Sequence, residues 1–255
     1  MLETIHHDNI VELRLARPPV NALDPELVRT LRNAVESAPA RGARGIVLSG
    51  RPGLFSAGLD VPALLQLNRA ELIAFWQEFF GLCSALAAAP IPVVAAIGGH
   101  SPAGGAVLAI FCDYRIMARS DDPESPFRIG LNEVQVGLSV PECIQHALRR
   151  LIGVYRAERL LVIGAMLDSE QALAVGMVDE LVAVDEVNTR ALEWLQSILK
   201  LPPQAMSTTR LIARSDLIDL FADPGKLSVE EFADGWFGAE SQAMLKALVA
   251  KLKKS

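Results

Sequence analysis

Apolar and polar residues alternate strictly from Val11 to Leu15, where Glu12 and Arg14 separate Val11, Leu13 and Leu15. A period of two is that of a strand with one buried face. Residues 2–5 form its hairpin partner across His7-Asp8-Asn9. The pattern then lengthens. Asp24-Pro25 sets a capping side chain before a proline at the first helical position, which predicts a helix from there to about Ser37. Residues 45–49 read as a buried strand, and Arg51-Pro52-Gly53 turns the chain toward Phe55-Ser56-Ala57-Gly58-Leu59-Asp60 and a short helix near Val61-Pro62. A long helix is predicted over 68–89, ended by Pro90-Ile91-Pro92. A strand over 93–97, a helix opened by Gly104-Gly105 and a strand over 114–118 come next. After Pro141 the periodicity is helical: 142–151, 154–163, 169–175 stopped by Gly176, 186–201, and a final pair after Gln204, with one more short strand over 178–182. Strands alternating with helices, then helices alone, predict a layered α/β fold.

Composition narrows the classes. The 255 residues suffice for one large domain, and 51% hydrophobic content with 5% aromatics suits aliphatic helices packed on a sheet. A net charge of −6 speaks against a nucleic-acid surface, which needs clustered Lys and Arg. The basic stretch from Lys246 to Lys254 reads as a helix C-terminus favoured by cations. Cys83, Cys112 and Cys143 are too scattered for a disulfide framework or a metal site; Cys112 and Cys143, in or beside apolar runs, read as buried thiols, and the compartment as reducing. Residues 1–5 show no basic or apolar leader pattern, and the apolar run over 85–99 is short and broken by prolines. The expectation is a cytoplasmic, bacterial protein that binds neither membrane nor nucleic acid.

Chemistry concentrates between Ser101 and Gly137. Paired glycines opening a helix leave backbone N–H groups free to meet a ligand oxygen. Ala57-Gly58-Leu59-Asp60 and Ala103-Gly104-Gly105 both stand at strand-to-helix turns, and two such N–H groups converging on one point form an oxyanion hole. Taken singly, glycines at such turns more often serve backbone geometry. Glu133 lies among Gly130, Leu131, Val134, Val136, Gly137 and Leu138, which would desolvate its carboxylate as a general base requires. No nucleotide-phosphate glycine motif is present.

Together the segments resemble the enoyl-CoA hydratase/isomerase (crotonase) family over nearly the whole chain, and within it the mitochondrial-type Δ3,Δ2-enoyl-CoA isomerases. The resemblance is carried by residues 18–23 (Pro-Pro-Val-Asn-Ala-Leu), 51–60, Pro102-Ala103-Gly104-Gly105, Cys112-Asp113-Tyr114-Arg115-Ile116 and Ile129-Gly130-Leu131-Asn132-Glu133. Gly164, Ala172 and residues 175–179 also fit. It implies a crotonase-like spiral of ββα units over 1–200 and a C-terminal helical trimerisation region over 201–255. It implies an acyl-CoA thioester as substrate, with the thioester oxygen between the N–H groups of Leu59 and Gly104. Glu133 matches the catalytic acid, Asn132 a substrate-contacting position, and Ser56, Ala57, Gly58, Leu59 and Asp60 the lining of the CoA cleft. No metal or other cofactor is implied, CoA being part of the substrate.

Family hydratases take a second glutamate from the helix opened by the Gly-Gly turn. Here Val107 holds that place, and no acid lies between Ala103 and Cys112. A single base can move a double bond by taking a proton from C2 and returning it at C4. The expected reaction is therefore conversion of 3-enoyl-CoA to trans-2-enoyl-CoA in fatty-acid β-oxidation. The alternatives are another crotonase-type reaction such as hydration, or a non-catalytic acyl-CoA-binding or interaction subunit. Asp113 reads as a structural acid facing Arg115 or a backbone group, Glu142 as a first-turn acid or a second pocket acid, and His100 as a loop histidine where a small residue is usual. Phe232, Trp236, Phe237 and Leu245 read as exposed apolar residues of a homotrimer or dimer of trimers.

Overall fold

The computed structural model describes residues 1–252, the side chains of Pro224 and Lys226 excepted; Lys253 and Lys254 of the basic stretch lie outside the described residues. β1 (Leu2–His7) and β2 (Ile10–Leu15) form the antiparallel hairpin, with Asp8 in its turn at φ 53°. α1 (Pro25–Ser37) starts where Asp24 accepts the Leu27 N–H at 2.8 Å, and it buries Leu27, Val28, Leu31 and Val35. β3 (Gly45–Ser49) is buried at every residue, so its sequence is a continuous apolar run and not an alternation. β4 (Gly53–Leu54) and α2 (Val61–Leu64) precede α3 (Arg69–Ala88), which opens with a capping box between Asn68 and Glu71. Then come β5 (Val93–Ile97), β6 (Gly99–Pro102), α4 (Gly104–Ile110), β7 (Tyr114–Ala118) and β8 (Arg128–Gly130).

The second half runs through α5 (Glu142–Ile152), α6 (Val154–Ile163), β9 (Leu167–Asp168), α7 (Ser169–Val175), β10 (Glu180–Val182) and α8 (Val187–Ile198). Four further helices close the chain: α9 (Pro203–Ala213), α10 (Ser215–Ala222), α11 (Val229–Phe237) and α12 (Ala239–Leu252). The expected final pair is thus four helices, interrupted at Arg214, over 223–228 and at Gly238. The strand expected over 178–182 is confined to Glu180–Val182, and the helix expected over 186–201 to Val187–Ile198.

Two sheets organise these elements. The larger has the order β1-β2-β3-β5-β7-β10, parallel from β2 onward; the smaller has the order β4-β6-β8-β9. In each of the runs β3-β4-α3, β5-β6-α4 and β7-β8-α5, the first strand joins the large sheet and the second the small one. This is the ββα unit, repeated as a spiral. One face of the large sheet packs Val47, Val94, Ala96 and Ile116 against Val187, Ala191 and Leu195 of α8. The other faces the main core, to which α1, α3 and α4 contribute.

α3 is apolar on nearly all sides, and a helix of that kind must be covered from several directions. α1 covers one flank, and α10 and α11 another. Trp76 meets Phe232 of α11 edge-on at 4.4 Å. Trp236 and Leu245, expected at the surface, are therefore fully buried within the chain, Phe232 is half-buried, and only Phe237 is exposed. Arg210 and Arg214 fasten α9 and α10 to the core. Both reach Asp113, and both donate to main-chain carbonyls at or near the end of α3, which lack helical partners. Asp113 also accepts the Val93 N–H at 2.7 Å. The expected backbone partner is present, but Arg115 pairs with Asp179 instead, at 2.6 Å. All three cysteines are buried and free. Among the described residues no helix is long and apolar enough to cross a membrane, and no cluster of His, Cys, Asp and Glu could hold a metal ion.

Candidate active site

β4, β6 and β8 run parallel and adjacent: Leu54 pairs with His100, and Pro102 with Gly130. Parallel neighbours deliver the turns at their C-terminal ends to one edge of a sheet. Leu59 comes five residues after β4, Gly104 two residues after β6 and Glu133 three residues after β8. The register thus sets side by side at one sheet edge, with that of Gly104 in the middle, the turns that carry three groups 29 to 74 residues apart in the chain.

Leu59 is held by a bridge to Leu23: the Leu23 N–H donates to Gly58 O at 2.8 Å, and the Asp60 N–H to Leu23 O at 3.0 Å. The turn before it is fixed from inside. Ser56 is fully buried; its hydroxyl donates to Asn21 O at 2.7 Å and accepts the Gly58 N–H at 3.1 Å. Asn21, at φ 50°, donates from its side chain to Phe55 O and accepts the Arg17 N–H. Ser56 was expected to line the CoA cleft, but its side chain faces the interior and orders the Gly58 turn. Gly58 itself, at φ 87°, lies so near the second turn that a Cβ there would stand 3.1 Å from Pro102 O and 3.3 Å from Gly104 N. Only glycine combines that φ with that approach.

The second turn is strained. Ala103 adopts φ 45° and ψ −117°, a combination that costs a residue bearing a Cβ about 1–3 kcal/mol. Its N–H is tied to Gly130 O at 2.8 Å, which joins the turn to the strand leading to Glu133. Among the described residues, neither the Leu59 nor the Gly104 N–H donates to an acceptor of the chain. Two unused donors on adjoining turns are the components of an anion-stabilising pair.

Glu133 opens a one-turn 3-10 helix, Glu133–Val136, with Asn132 ahead of it and Gly137 behind. Its Oε2 is buried and has no hydrogen-bond partner. Burial raises its pKa from the ordinary 4.5 to about 7; the opposing influence is its own backbone N–H. No charged side chain contributes. Val107, at the place where a second acid could arise from α4, is buried among Ala106, Leu108 and Ala109.

Asp60 caps α2 through the Ala63 N–H and pairs with Arg17 at 2.7 Å; Arg17 also reaches Asp24 at 3.0 Å. Ala57 is exposed, and Leu59 and Asn132 are half-buried. His100 belongs to β6 and not to a loop. Its Nδ1 accepts the Arg128 N–H, and its ring meets Phe127 edge-on at 5.3 Å. Burial and the nearby Arg128 lower its pKa. Glu142 is exposed and stands 3.8 Å from Arg149, so the first-turn reading describes it and the second-acid reading does not. Asn21 and Gln135 gained no role from the sequence. Asn21 lay inside the segment over 18–23; Gln135, whose Nε2 donates to Gly164 O at 2.8 Å, carried no local signal.

Comparison with known proteins places this geometry. Residues 6–219 match the family model described as enoyl-CoA hydratase/isomerase. Mitochondrial enoyl-CoA delta isomerase 1 of Mus musculus is 32% identical over 256 residues, covering 100% of this chain and 87% of the relative. A probable enoyl-CoA hydratase, EchA17, of Mycobacterium tuberculosis is 32% identical over 232 residues, covering 89% of this chain and 86% of the relative. The crystal structure of human mitochondrial delta3-delta2-enoyl-CoA isomerase superposes with a TM-score of 0.93 at 30% identity, covering 99% of this chain and 98% of that one. With a family model over most of its length and relatives of this similarity along it, the chain belongs to the enoyl-CoA hydratase/isomerase (crotonase) family of enzymes.

Proposed function

We propose that this chain is a Δ3,Δ2-enoyl-CoA isomerase of fatty-acid β-oxidation that works with one carboxylate. The thioester oxygen of a 3-enoyl-CoA accepts hydrogen bonds from the N–H groups of Leu59 and Gly104. Glu133, ionised, takes a proton from C2; the charge spreads over the dienolate and is met at oxygen by the two donors. The same carboxyl group then returns the proton at C4, leaving the trans-2-enoyl-CoA. No metal or redox step enters this scheme.

The observation that carries the reading is the lone acid. Glu133 is desolvated with an orphaned oxygen, α4 supplies Val107 in place of an acid, and Glu142 is turned to solvent. Hydration needs an acid and a base on either side of the double bond, and this arrangement offers one group for both. The raised pKa of Glu133 also distinguishes an enzyme from an acyl-CoA carrier, since burying an unpaired acid costs stability that a carrier has no reason to spend.

The family resemblance further suggests a trimer or a dimer of trimers. Exposed apolar side chains on α6 support association: Tyr155 is 84% exposed, Val162 77% and Ile163 65%, and Val154 and Leu173 are exposed near them in the chain. The test of function is the rate of 2-hexenoyl-CoA formation from 3-hexenoyl-CoA beside the rate of crotonyl-CoA hydration. Isomerisation well above hydration is expected, and dominant hydration would overturn the assignment.

A further inference from the structure

We propose that Ser241, on the C-terminal helix α12, is a positioning residue for the carboxyl group of Glu133. The inference rests on the functional reading above for its kinetic consequences, but its geometry stands apart from it. A single 3-10 turn has poor intrinsic stability and holds its shape through outside contacts. The turn Glu133–Val136 closes at Gly137, whose N–H is used by Glu133 O and Val134 O. The Gly137 carbonyl points the other way and accepts the Ser241 hydroxyl at 2.6 Å. Ser241 is buried, 7% exposed, and comes from a helix 104 residues further along the chain.

Gly137 also lies close under α12: a Cβ on it would stand 3.2 Å from Ser241 Cα and 3.5 Å from Met244 Cβ. The opposite side of the turn is fastened to the end of α6 by the Gln135 amide on Gly164 O. A Cβ on Gly164 would come within 2.8 Å of Val134 Cγ2. The acid is thus clamped between α6 and α12. Only the α12 clamp ends on the residue that closes the turn.

Removing the hydroxyl leaves the half-buried Gly137 carbonyl without its partner and frees the turn to shift and admit water. The ionisable side chains of the two packed helices, Tyr155, Arg156, Glu158 and Arg159 on α6 and Glu240, Lys246 and Lys251 on α12, are exposed, and none contributes to the state of Glu133. Burial is what raises that carboxyl group, against its own backbone N–H, so loosening the turn moves its titration downward.

The experiment compares Ser241→Ala, Ser241→Cys and Gln242→Ala in the full chain. Alanine is the best helix former, so α12 persists. Gln242 is the neighbouring control: its amide donates to Trp236 O at 3.0 Å and so ties α12 to α11, not to the turn. Ser241→Ala should lower kcat for 3-hexenoyl-CoA by about 10- to 100-fold, as small misplacements of a catalytic group do. KM should change by less than about twofold, because binding to ground state and transition state is not uniformly lost. Ser241→Cys, a weaker donor, should fall between. Gln242→Ala should keep the wild-type rate. In parallel, carbon-13 NMR of carboxyl-labelled glutamate, with Glu133 assigned by its absence in Glu133→Gln, should show its titration move down from about 7 in Ser241→Ala and not in Gln242→Ala. An unmoved titration in Ser241→Ala, or an equal effect of Gln242→Ala, overturns the proposal. A wild-type chain without isomerase activity overturns the functional reading instead, and the titration then still decides the role of Ser241.

Discussion

In the proposed reaction Glu133 is the base, and its surroundings make it a poor anion. A carboxyl group that titrates at about 7 is largely protonated at pH 6 and largely ionised at pH 8, and only the ionised form can take the C2 proton. The rate on 3-enoyl-CoA should therefore rise tenfold per pH unit on the acid side and level off above about pH 7, as a kcat/KM profile will show. Stability runs the opposite way. The folded chain holds this proton above the pH at which the unfolded chain releases it, so the contribution is complete below 4.5 and is lost as pH rises through about 7. At about 1.4 kcal/mol per pKa unit the loss has a ceiling of about 3 kcal/mol. This residue was legible in the sequence because it stands in a run of small and apolar chain neighbours, Gly130, Leu131 and Val134 among them, where a carboxyl group is conspicuous. Asn21, Ser56 and Ser241 were not legible in their roles. Each has a partner far along the chain, 34, 35 and 104 residues away, and nothing local in a sequence marks a hydrogen bond of that span.

At the scale of elements, the site is an outcome of register. Three parallel strands end side by side, and each leads into a turn carrying one of the three groups of the proposed mechanism. Gly104→Pro removes one of the two donor N–H groups, and losing such a donor typically lowers turnover by about 10²–10³. Turnover measured beside circular dichroism and acyl-CoA affinity checks this; a folded, binding and fully active variant means that Gly104 is not a donor. Elements with local punctuation were readable in advance. Asp24-Pro25 opens α1, Pro90-Ile91-Pro92 follows the end of α3, and Gly176 ends α7. The C-terminal helices resisted for the converse reason. Arg214 interrupts α9 and α10 without proline or glycine, because its guanidinium is drawn to Asp113, Ala87 O and Phe111 O in the core. That break belongs to tertiary structure and has no local sequence signal.

The whole molecule separates two kinds of apolar surface that periodicity alone confuses. Phe232, Trp236 and Leu245 turn inward to cover α3 and the core, whereas Tyr155, Val162 and Ile163 remain outside on α6. A helical stripe shows which face is buried but not whether the same chain or a second copy buries it. If α6 lies between subunits, light scattering should give three or six times 27.5 kDa for the wild type, and Val162→Asp with Ile163→Asp should give the single chain with its helical content kept. A wild type that is monomeric at micromolar concentration contradicts the assembly. Because Gln135 ties the Glu133 turn to the end of α6, such variants should also be assayed for turnover.

The central claim is that one carboxyl group carries the proton both ways, and Glu133→Gln tests it most directly. The substitution keeps the shape of the side chain and removes its basicity. Isomerisation of 3-hexenoyl-CoA should fall by about 10²–10⁴, the usual contribution of a general base. Acyl-CoA affinity in the same preparation should be unchanged or improved, since a costly buried charge is gone. Isomerase activity close to wild type in a folded Glu133→Gln chain would contradict the account.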